Sequence, residues 1–143
     1  MTPSSCSGLS QTFALAFSNG NGAADITSAL IDISSTLSVS GACYIYYVRS
    51  LSKLYLASDT GSWQGLLKLG SAATLQNSQC TVHPATTTAV LSGNTLTLNL
   101  PLTFNAAFAG TIHGSAERYA RQRMVFDGCL DTVNYPSCAI SPC

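Results

Sequence analysis

A strict alternation of apolar and polar residues runs from Asn94 to Phe104. The apolar positions are Leu96, Leu98, Leu100, Leu102 and Phe104. Side chains alternate between the two faces of a strand, whereas a helix would scatter every second residue around its circumference. The segment therefore predicts a half-buried β-strand. Because Pro101 has no backbone N–H, the pattern also predicts that this strand lies at a sheet edge or contains a bulge there.

The same period of two recurs in shorter runs along the chain. These runs predict strands over 11–17, 25–34, 43–49, 53–58, 63–69 and 79–83. The inward positions are Phe13, Leu15 and Phe17 in the first run and Ala29, Ile31 and Ile33 in the second. Turns are predicted at 19–22, 50–52 and 92–94, where Gly, Asn and Ser tolerate unusual backbone angles. About seven or eight short strands at this spacing predict an all-β, immunoglobulin-like antiparallel β-sandwich.

The length and charge limit what the chain does. With 143 residues, it is long enough for one domain with its own core. Charged residues make up only 8%, and six basic side chains balance six acidic ones. The chain therefore lacks the positive surface that nucleic acid or an anionic membrane attracts. We expect no nucleic-acid partner and no membrane insertion.

The chain contains six cysteines, which are more than a cytosolic domain of this size normally carries. They form no Cys-x-x-Cys pair or Cys/His cluster with zinc spacing, so disulfides in an oxidising compartment are the simpler interpretation. The start at Met1 has no basic region followed by an apolar stretch. We therefore expect an excerpt of a longer exported protein, located outside the cell or at its surface, without a signal peptide in this sequence.

Composition changes after residue 114. Six of the twelve charged residues fall between Ser115 and Asp131: Glu117, Arg118, Arg121, Arg123, Asp127 and Asp131. A capping serine, an acidic first turn and the spacing of Ala116, Ala120 and Met124 predict a short helix here. The predicted division is a sandwich over 1–114 and an atypical segment over 115–143 that packs on or extends the same domain.

Several short motifs occur in a fixed order: Ser10-Gln-Thr-Phe13, Asn21-Gly-Ala-Ala-Asp25-Ile26, Ala42-Cys-Tyr-Ile-Tyr-Tyr47, Leu54-Tyr-Leu56, Ser62-Trp-Gln-Gly65, Leu75-Gln-Asn-Ser-Gln-Cys-Thr-Val82, Gly93-Asn-Thr-Leu-Thr-Leu98 and Phe108-Ala-Gly110. Over residues 2–112 this series resembles an immunoglobulin-like repeat domain of exported or surface proteins from acidobacteria and similar soil bacteria. The resemblance implies an architecture more than an activity.

The resemblance also implies a disulfide between Cys43 and Cys80, the two cysteines inside the shared motifs. The alternation agrees, because both residues fall on the inward faces of their strands. Closing this loop stabilises the fold by about 4 kcal/mol in the chain-entropy model. The pairing of Cys6, Cys129, Cys138 and Cys143 stays open.

The chain departs from the family after His113, where an aromatic strand and a tryptophan-containing closing strand are expected. Two explanations stand side by side: a frameshift that replaced the end of a repeat, or a diverged natural tail. If closing strands are missing, an uncovered sheet edge allows homodimerisation.

Catalysis has little support in the sequence. His83 and His113 are the only histidines, and no nucleophile elbow, zinc-binding helix or phosphate loop accompanies them. Calcium has equally weak ligands, because Asn19, Asn21 and Asp25 at the first turn, or Asp59 further on, offer one carboxylate per turn. We expect no metal and no cofactor.

A row of strand aromatics is the strongest candidate binding site. Tyr44, Tyr46 and Tyr55, with Trp63 nearby, have rings that stack on sugar faces if they are exposed, or fill the core and pair across the sheet if they are not. The sequence therefore favours a non-catalytic structural or adhesion module of a secreted or surface protein. A carbohydrate-binding module is the alternative, a small secreted hydrolase using His83 or His113 a second one, and polysaccharide or another surface protein the expected partner.

Overall fold

The computed structural model describes residues 9–34 and 40–106, together with the backbone of 110–120, 133–134 and 138–140. The strands are β1 (Ser10–Ser18), β2 (Ile26–Ser34), β3 (Cys43–Val48), β4 (Lys53–Ala57), β5 (Trp63–Lys68), β6 (Leu75–Gln76), β7 (Cys80–Val82), β8 (Thr88–Ser92), β9 (Thr95–Phe104), β10 (Gly110–Ala120), β11 (Val133–Asn134) and β12 (Cys138–Ile140). Two short 3-10 turns, Ala23–Asp25 and Arg49–Leu51, connect them.

The strands form two antiparallel sheets. In the smaller sheet the order is β1-β9-β7-β6, and β8 pairs with β9 beside β7. In the larger sheet the order is β11-β10-β2-β3-β4-β5, and β12 pairs with β10. The predicted all-β sandwich is confirmed, and each of the predicted strands is present.

A single apolar core lies between the sheets. Both sheets contribute fully buried side chains, such as Phe13 and Leu98 from the smaller sheet and Ile31, Ile45 and Leu56 from the larger one. The predicted inward faces of β1, β2 and β9 are confirmed, because their alternate apolar residues are all buried. The outer faces carry the remaining residues of each strand, and these faces present the candidate sites.

The disulfide between Cys43 and Cys80 is confirmed. Cys43 begins β3 in the larger sheet and Cys80 begins β7 in the smaller sheet, and their Cα atoms are 5.7 Å apart. Both residues are completely buried in the core cluster. The bond therefore joins the two sheets to each other through the interior of the sandwich.

Pro101 does not mark a sheet edge, and in this respect the prediction was wrong. The strand β9 pairs with β1 on one side and with β7 and β8 on the other. The carbonyl of Pro101 accepts a hydrogen bond from the His83 N–H at 3.3 Å, on the side where β7 ends and β8 has not begun. Because the nitrogen and carbonyl of one residue face the same neighbour in an antiparallel ladder, the missing N–H falls at this interruption.

The helix predicted from Ser115 is wrong for residues 115–120, which belong to β10. This strand pairs with β2 from His113 opposite Ser34 to Ala120 opposite Ile26, with a register shift near its end. Pairing along a neighbouring strand outweighs a weak local helix preference, since tertiary context routinely overrides propensity. β10 continues without interruption across residue 114, and the remainder of the predicted helix lies outside the described residues.

The side chains of the other four cysteines are not among those described. Cys6, Cys129 and Cys143 lie outside the described residues, and Cys138 begins β12 beside β10. The frameshift, the diverged tail and the homodimer through an uncovered edge stay predictions. In the larger sheet, β10 occupies the position beside β2.

Candidate functional site

The outer face of the larger sheet carries four aromatic rings, which we call the aromatic cluster: Tyr44, Tyr46, Tyr55 and Trp63. The alternation of β3 produces half of it, since Cys43, Ile45 and Tyr47 are buried in the core while Tyr44 and Tyr46 point outward and are half-buried. Tyr55 occupies the outward position of β4, between buried Leu54 and Leu56. The four residues that the sequence singled out are therefore brought together.

Strand register explains the contacts within the aromatic cluster. Tyr46 lies directly opposite Tyr55 across β3 and β4, and their stacked rings have centroids 5.9 Å apart. Trp63 lies opposite Ala57 on the edge strand β5, where its ring stacks on Tyr44 at 5.3 Å and is tilted against Tyr46 at 5.6 Å. It also meets Tyr55 edge-on at 6.3 Å. Such cross-strand aromatic pairs stabilise a sheet.

Gly65 places Trp63 by interrupting the regular ladder of β5. Its φ of +69° favours glycine, and a Cβ at this position would collide with the side chain of Leu75 in the smaller sheet. The pairing between β4 and β5 shifts between Leu54 and Leu56 accordingly. The bulge thus allows the edge strand to close against β6 while its first residue reaches the outer face.

Exposure differs within the aromatic cluster. The three tyrosines are half-buried, whereas Trp63 has 45% of its surface exposed. The rings therefore pair with one another across the sheet, and the largest of them is open to solvent. An exposed aromatic ring is what the apolar face of a sugar stacks on.

A buried carboxyl group lies at the side of this cluster. Asp32 on β2 is directly opposite Tyr44 and is only 8% exposed. Among the described residues, its Oδ1 has no hydrogen-bond partner. Burial raises the pKa of Asp32 to about 6, with a smaller opposing effect from the Ser34 hydroxyl. The sequence patterns assign no role to Asp32, although its place between inward Ile31 and Ile33 predicts an outward position.

Tyr47 shows the contrast between the two faces of β3. Its ring points into the core and is almost fully buried. Burial raises the pKa of Tyr47, which the positive charge of Arg49 and a hydrogen bond with Ser52 partly offset. Arg49 in turn donates to the carbonyls of Ile26 and Ala24, both at 2.6 Å. This tyrosine therefore belongs to the structural framework rather than to the aromatic cluster.

The histidines do not form one site. His83 follows β7 in the smaller sheet, while His113 lies in β10 of the larger sheet. His83 Nε2 lies 2.9 Å from Thr103 Oγ1, and the Thr103 oxygen lies 3.1 Å from Ser10 Oγ. Within residues 9–34 and 40–106, no carboxylate hydrogen-bonds to His83 as the orienting acid of a hydrolase would. The sequence missed this hydroxyl chain, because Ser10 and Thr103 are ninety-three residues apart.

The acidic residues weighed for calcium are committed to local structure. Asn19 donates its amide to Asp25 Oδ2 at 3.0 Å and accepts from the Asn21 N–H at 3.0 Å. Asp59 accepts from both the backbone N–H and the hydroxyl of Ser78, and these bonds lower its pKa. In the described part of the chain, no three His, Cys, Asp or Glu side chains cluster as a metal site requires.

The remaining sequence candidates are placed as follows. Arg118 lies in β10, opposite Ala29, whereas Arg121 and Arg123 lie outside the described residues. No helix within the described ranges is long and apolar enough to cross a membrane. Comparison with known proteins gave no significant match to any family model, curated protein or solved structure.

Proposed function

We propose that the chain is a non-catalytic structural or adhesion module of an exported protein, with an immunoglobulin-like topology. The observation that carries this proposal is the fully buried Cys43–Cys80 bond, which ties one sheet to the other. A disulfide in this position suits a module that holds its shape in an oxidising environment. The resemblance to bacterial surface repeats supports the same assignment.

The test is the dependence of folding on oxidation. The chain is produced once with export to an oxidising compartment and once in a reducing cytosol, and the melting temperatures of both products are compared with and without reductant. The proposal expects the exported product to melt at the higher temperature and to lose this advantage in reductant. Equal melting temperatures in all four samples would contradict it.

A second candidate function, carbohydrate binding, has its own supporting observation in the aromatic cluster. Trp63 is 45% exposed on an outer sheet face, where one side of its ring stacks on Tyr44, and its exposed part offers an apolar surface. The tyrosines add hydroxyl groups to the aromatic cluster, and an uncharged polysaccharide matches such a combination of apolar and hydroxyl groups. The ligand class we assign to the aromatic cluster is therefore a neutral polysaccharide.

Leu66 offers a matched control for this site. It lies on the same strand as Trp63 and is 42% exposed, but it is aliphatic and has no ring on which a sugar could stack. Pull-down on cellulose, chitin and xylan should retain the wild type and Leu66→Ala, while Trp63→Ala is lost to the supernatant. Equal loss in both variants would identify non-specific adsorption of an apolar edge strand, and no retention of the wild type would reject the second function.

A further inference from the structure

A separate groove lies on the outer face of the smaller sheet, which we call the hydroxyl groove. Its volume is about 390 Å³, and its walls come from β1, β9 and the turn between β7 and β8. The groove exists because the strand beside β9 is interrupted at Pro101. The turn that fills this interruption carries His83 and Thr86 to the rim of the groove.

The hydroxyl groove contains an ordered chain of polar groups. The imidazole of His83 lies 2.9 Å from Thr103 Oγ1, which lies 3.1 Å from Ser10 Oγ. Thr12 and Gln11 add a further hydroxyl and an amide to the lining, and Pro101 adds an apolar surface. These groups come from three different segments, so their arrangement depends on the folded sandwich.

The chemistry of the lining selects the class of ligand. None of the residues that line the groove is an aspartate, glutamate, lysine or arginine. A single imidazole is too few ligands for a metal ion, and hydroxyls without a cationic side chain do not hold an anion firmly. Hydroxyl, amide and imidazole groups that both donate and accept instead match a ligand bearing several hydroxyls.

We propose that the hydroxyl groove is a binding site for one neutral sugar residue, independent of the aromatic cluster. The sugar hydroxyls exchange hydrogen bonds with Thr103, Ser10 and His83, and the apolar face of the sugar lies against Pro101. The two sites lie on the outer faces of opposite sheets. A module with both sites binds two glycan segments at once and thereby cross-links them.

The experiment is a titration of the ¹⁵N-labelled protein with glucose, galactose, N-acetylglucosamine and xylose, followed by amide chemical shifts. We expect at least one sugar to give saturable shifts confined to the amides around residues 83–87 and 101–103. Thr103→Val should weaken this binding about three- to tenfold, the usual effect of losing one hydrogen bond between neutral groups.

The same two strands supply a matched control. Ser18 Oγ and Thr95 Oγ1 form a second hydroxyl pair, 3.3 Å apart, at the other end of the β1–β9 ladder and outside the groove. Thr95→Val should leave the affinity unchanged. The proposal is overturned if no sugar gives saturable shifts, if both valine variants bind equally, or if the groove instead hydrolyses a nitrophenyl ester in a Thr103-dependent manner. Trp63→Ala should not alter these shifts, so failure here is distinct from failure of the aromatic site.

Discussion

The two outer faces of the sandwich are built on one core but differ in how their side chains meet. On the larger sheet, the tyrosine and tryptophan rings pack on one another. On the smaller sheet, Ser10, Thr103 and His83 meet only through hydrogen bonds between polar atoms. Burial of apolar surface stabilises a fold, whereas exposed hydroxyl pairs contribute little.

Because of this difference, substitutions on the two faces should affect stability and the proposed binding differently. In the proposed carbohydrate-binding role, the tyrosines of the aromatic cluster contribute to both, since each is half-buried against its neighbours and also faces outward. Leu102 lines the hydroxyl groove and is buried in the core, but the polar side chains of Ser10, Thr103 and His83 contribute little to packing, so they are free to serve a ligand. Substitutions on the first face should therefore change stability and binding together, and substitutions on the second should change binding alone.

The largest effect on stability is expected from removing the Cys43–Cys80 disulfide, which joins the two sheets. Replacing Cys43 and Cys80 by alanine together should lower the free energy of unfolding by about 4 kcal/mol.

Trp63, the only tryptophan, reports on the larger sheet by fluorescence, and the His83 ring reports on the smaller sheet by NMR. In denaturant titrations of the wild type, both signals should change at one midpoint. Two separate midpoints in the wild type would show that the faces do not share one cooperative core.

Asn77 should have the next largest effect. Its buried amide donates to the carbonyls of Ala42 at 2.8 Å and Ala57 at 2.9 Å, and its Oδ1 accepts from the N–H groups of Gln79 and Cys80, both at 2.9 Å. Asn77→Ala removes four hydrogen bonds to backbone groups, three of them buried, which should lower the free energy of unfolding by about 2–4 kcal/mol.

Asn99 provides the comparison for that substitution. Its amide makes one exposed hydrogen bond, to Thr88 Oγ1 at 3.0 Å. Asn99→Ala, measured by the same chemical denaturation, should change the free energy of unfolding by no more than about 0.5 kcal/mol. Similar losses in both asparagine variants would mean that the buried network at Asn77 adds nothing beyond an ordinary surface amide.

Much of this architecture follows from the sequence because the alternation is local. The inward faces of β1, β2, β3 and β9 are determined by residues two positions apart, and each is buried as predicted. The four members of the aromatic cluster were also predictable, since an outward position in adjacent short strands brings rings together. Register decides only which ring stacks on which.

The features that sequence reasoning missed depend on distant segments. The helix predicted from Ser115 is replaced by β10 because β2 offers it a partner strand. Pro101 avoids an unpaired site only because the neighbouring strand is interrupted there, and this interruption is also what forms the hydroxyl groove. The partners of Asn77 lie up to thirty-five residues away. A short stretch of sequence does not contain both partners of these contacts, so local patterns do not predict them.

A buried charge beside the aromatic cluster gives a smaller, pH-dependent effect. The pKa of Asp32 rises from 3.8 to about 6 on folding, so the folded chain holds this proton more tightly than the unfolded chain does. The free energy of unfolding should therefore fall as pH rises from about 4 to 6. Asp32→Asn should remove this dependence and raise stability at pH 7 by about 1–3 kcal/mol, with little change at pH 4.

The pKa of Asp59 is shifted in the opposite direction, so Asp59 serves as a control for the pH dependence predicted for Asp32. Hydrogen bonds from Ser78 lower its pKa, so its contribution to stability is present above pH 4 and is lost as pH falls further. Asp59→Asn should reduce stability at pH 7 and not in strong acid. If Asp32→Asn behaved in the same way, Asp32 would carry its charge without penalty in the folded protein, and its burial would not govern its protonation.

The smallest effects concern the two faces directly. Tyr46→Ala removes a ring that stacks on Tyr55 and contacts Trp63, and it should lower the free energy of unfolding by about 1–2 kcal/mol. Thr103→Val keeps a β-branched side chain in β9 and loses one exposed and one partly buried hydrogen bond between neutral groups, so it should stay within about 0.5 kcal/mol of the wild type. Both values come from the same denaturation series. A Thr103 variant as unstable as the Tyr46 variant would mean that the hydroxyl chain holds β1 to β9, and the groove would then be part of the framework instead of a surface left free for a ligand.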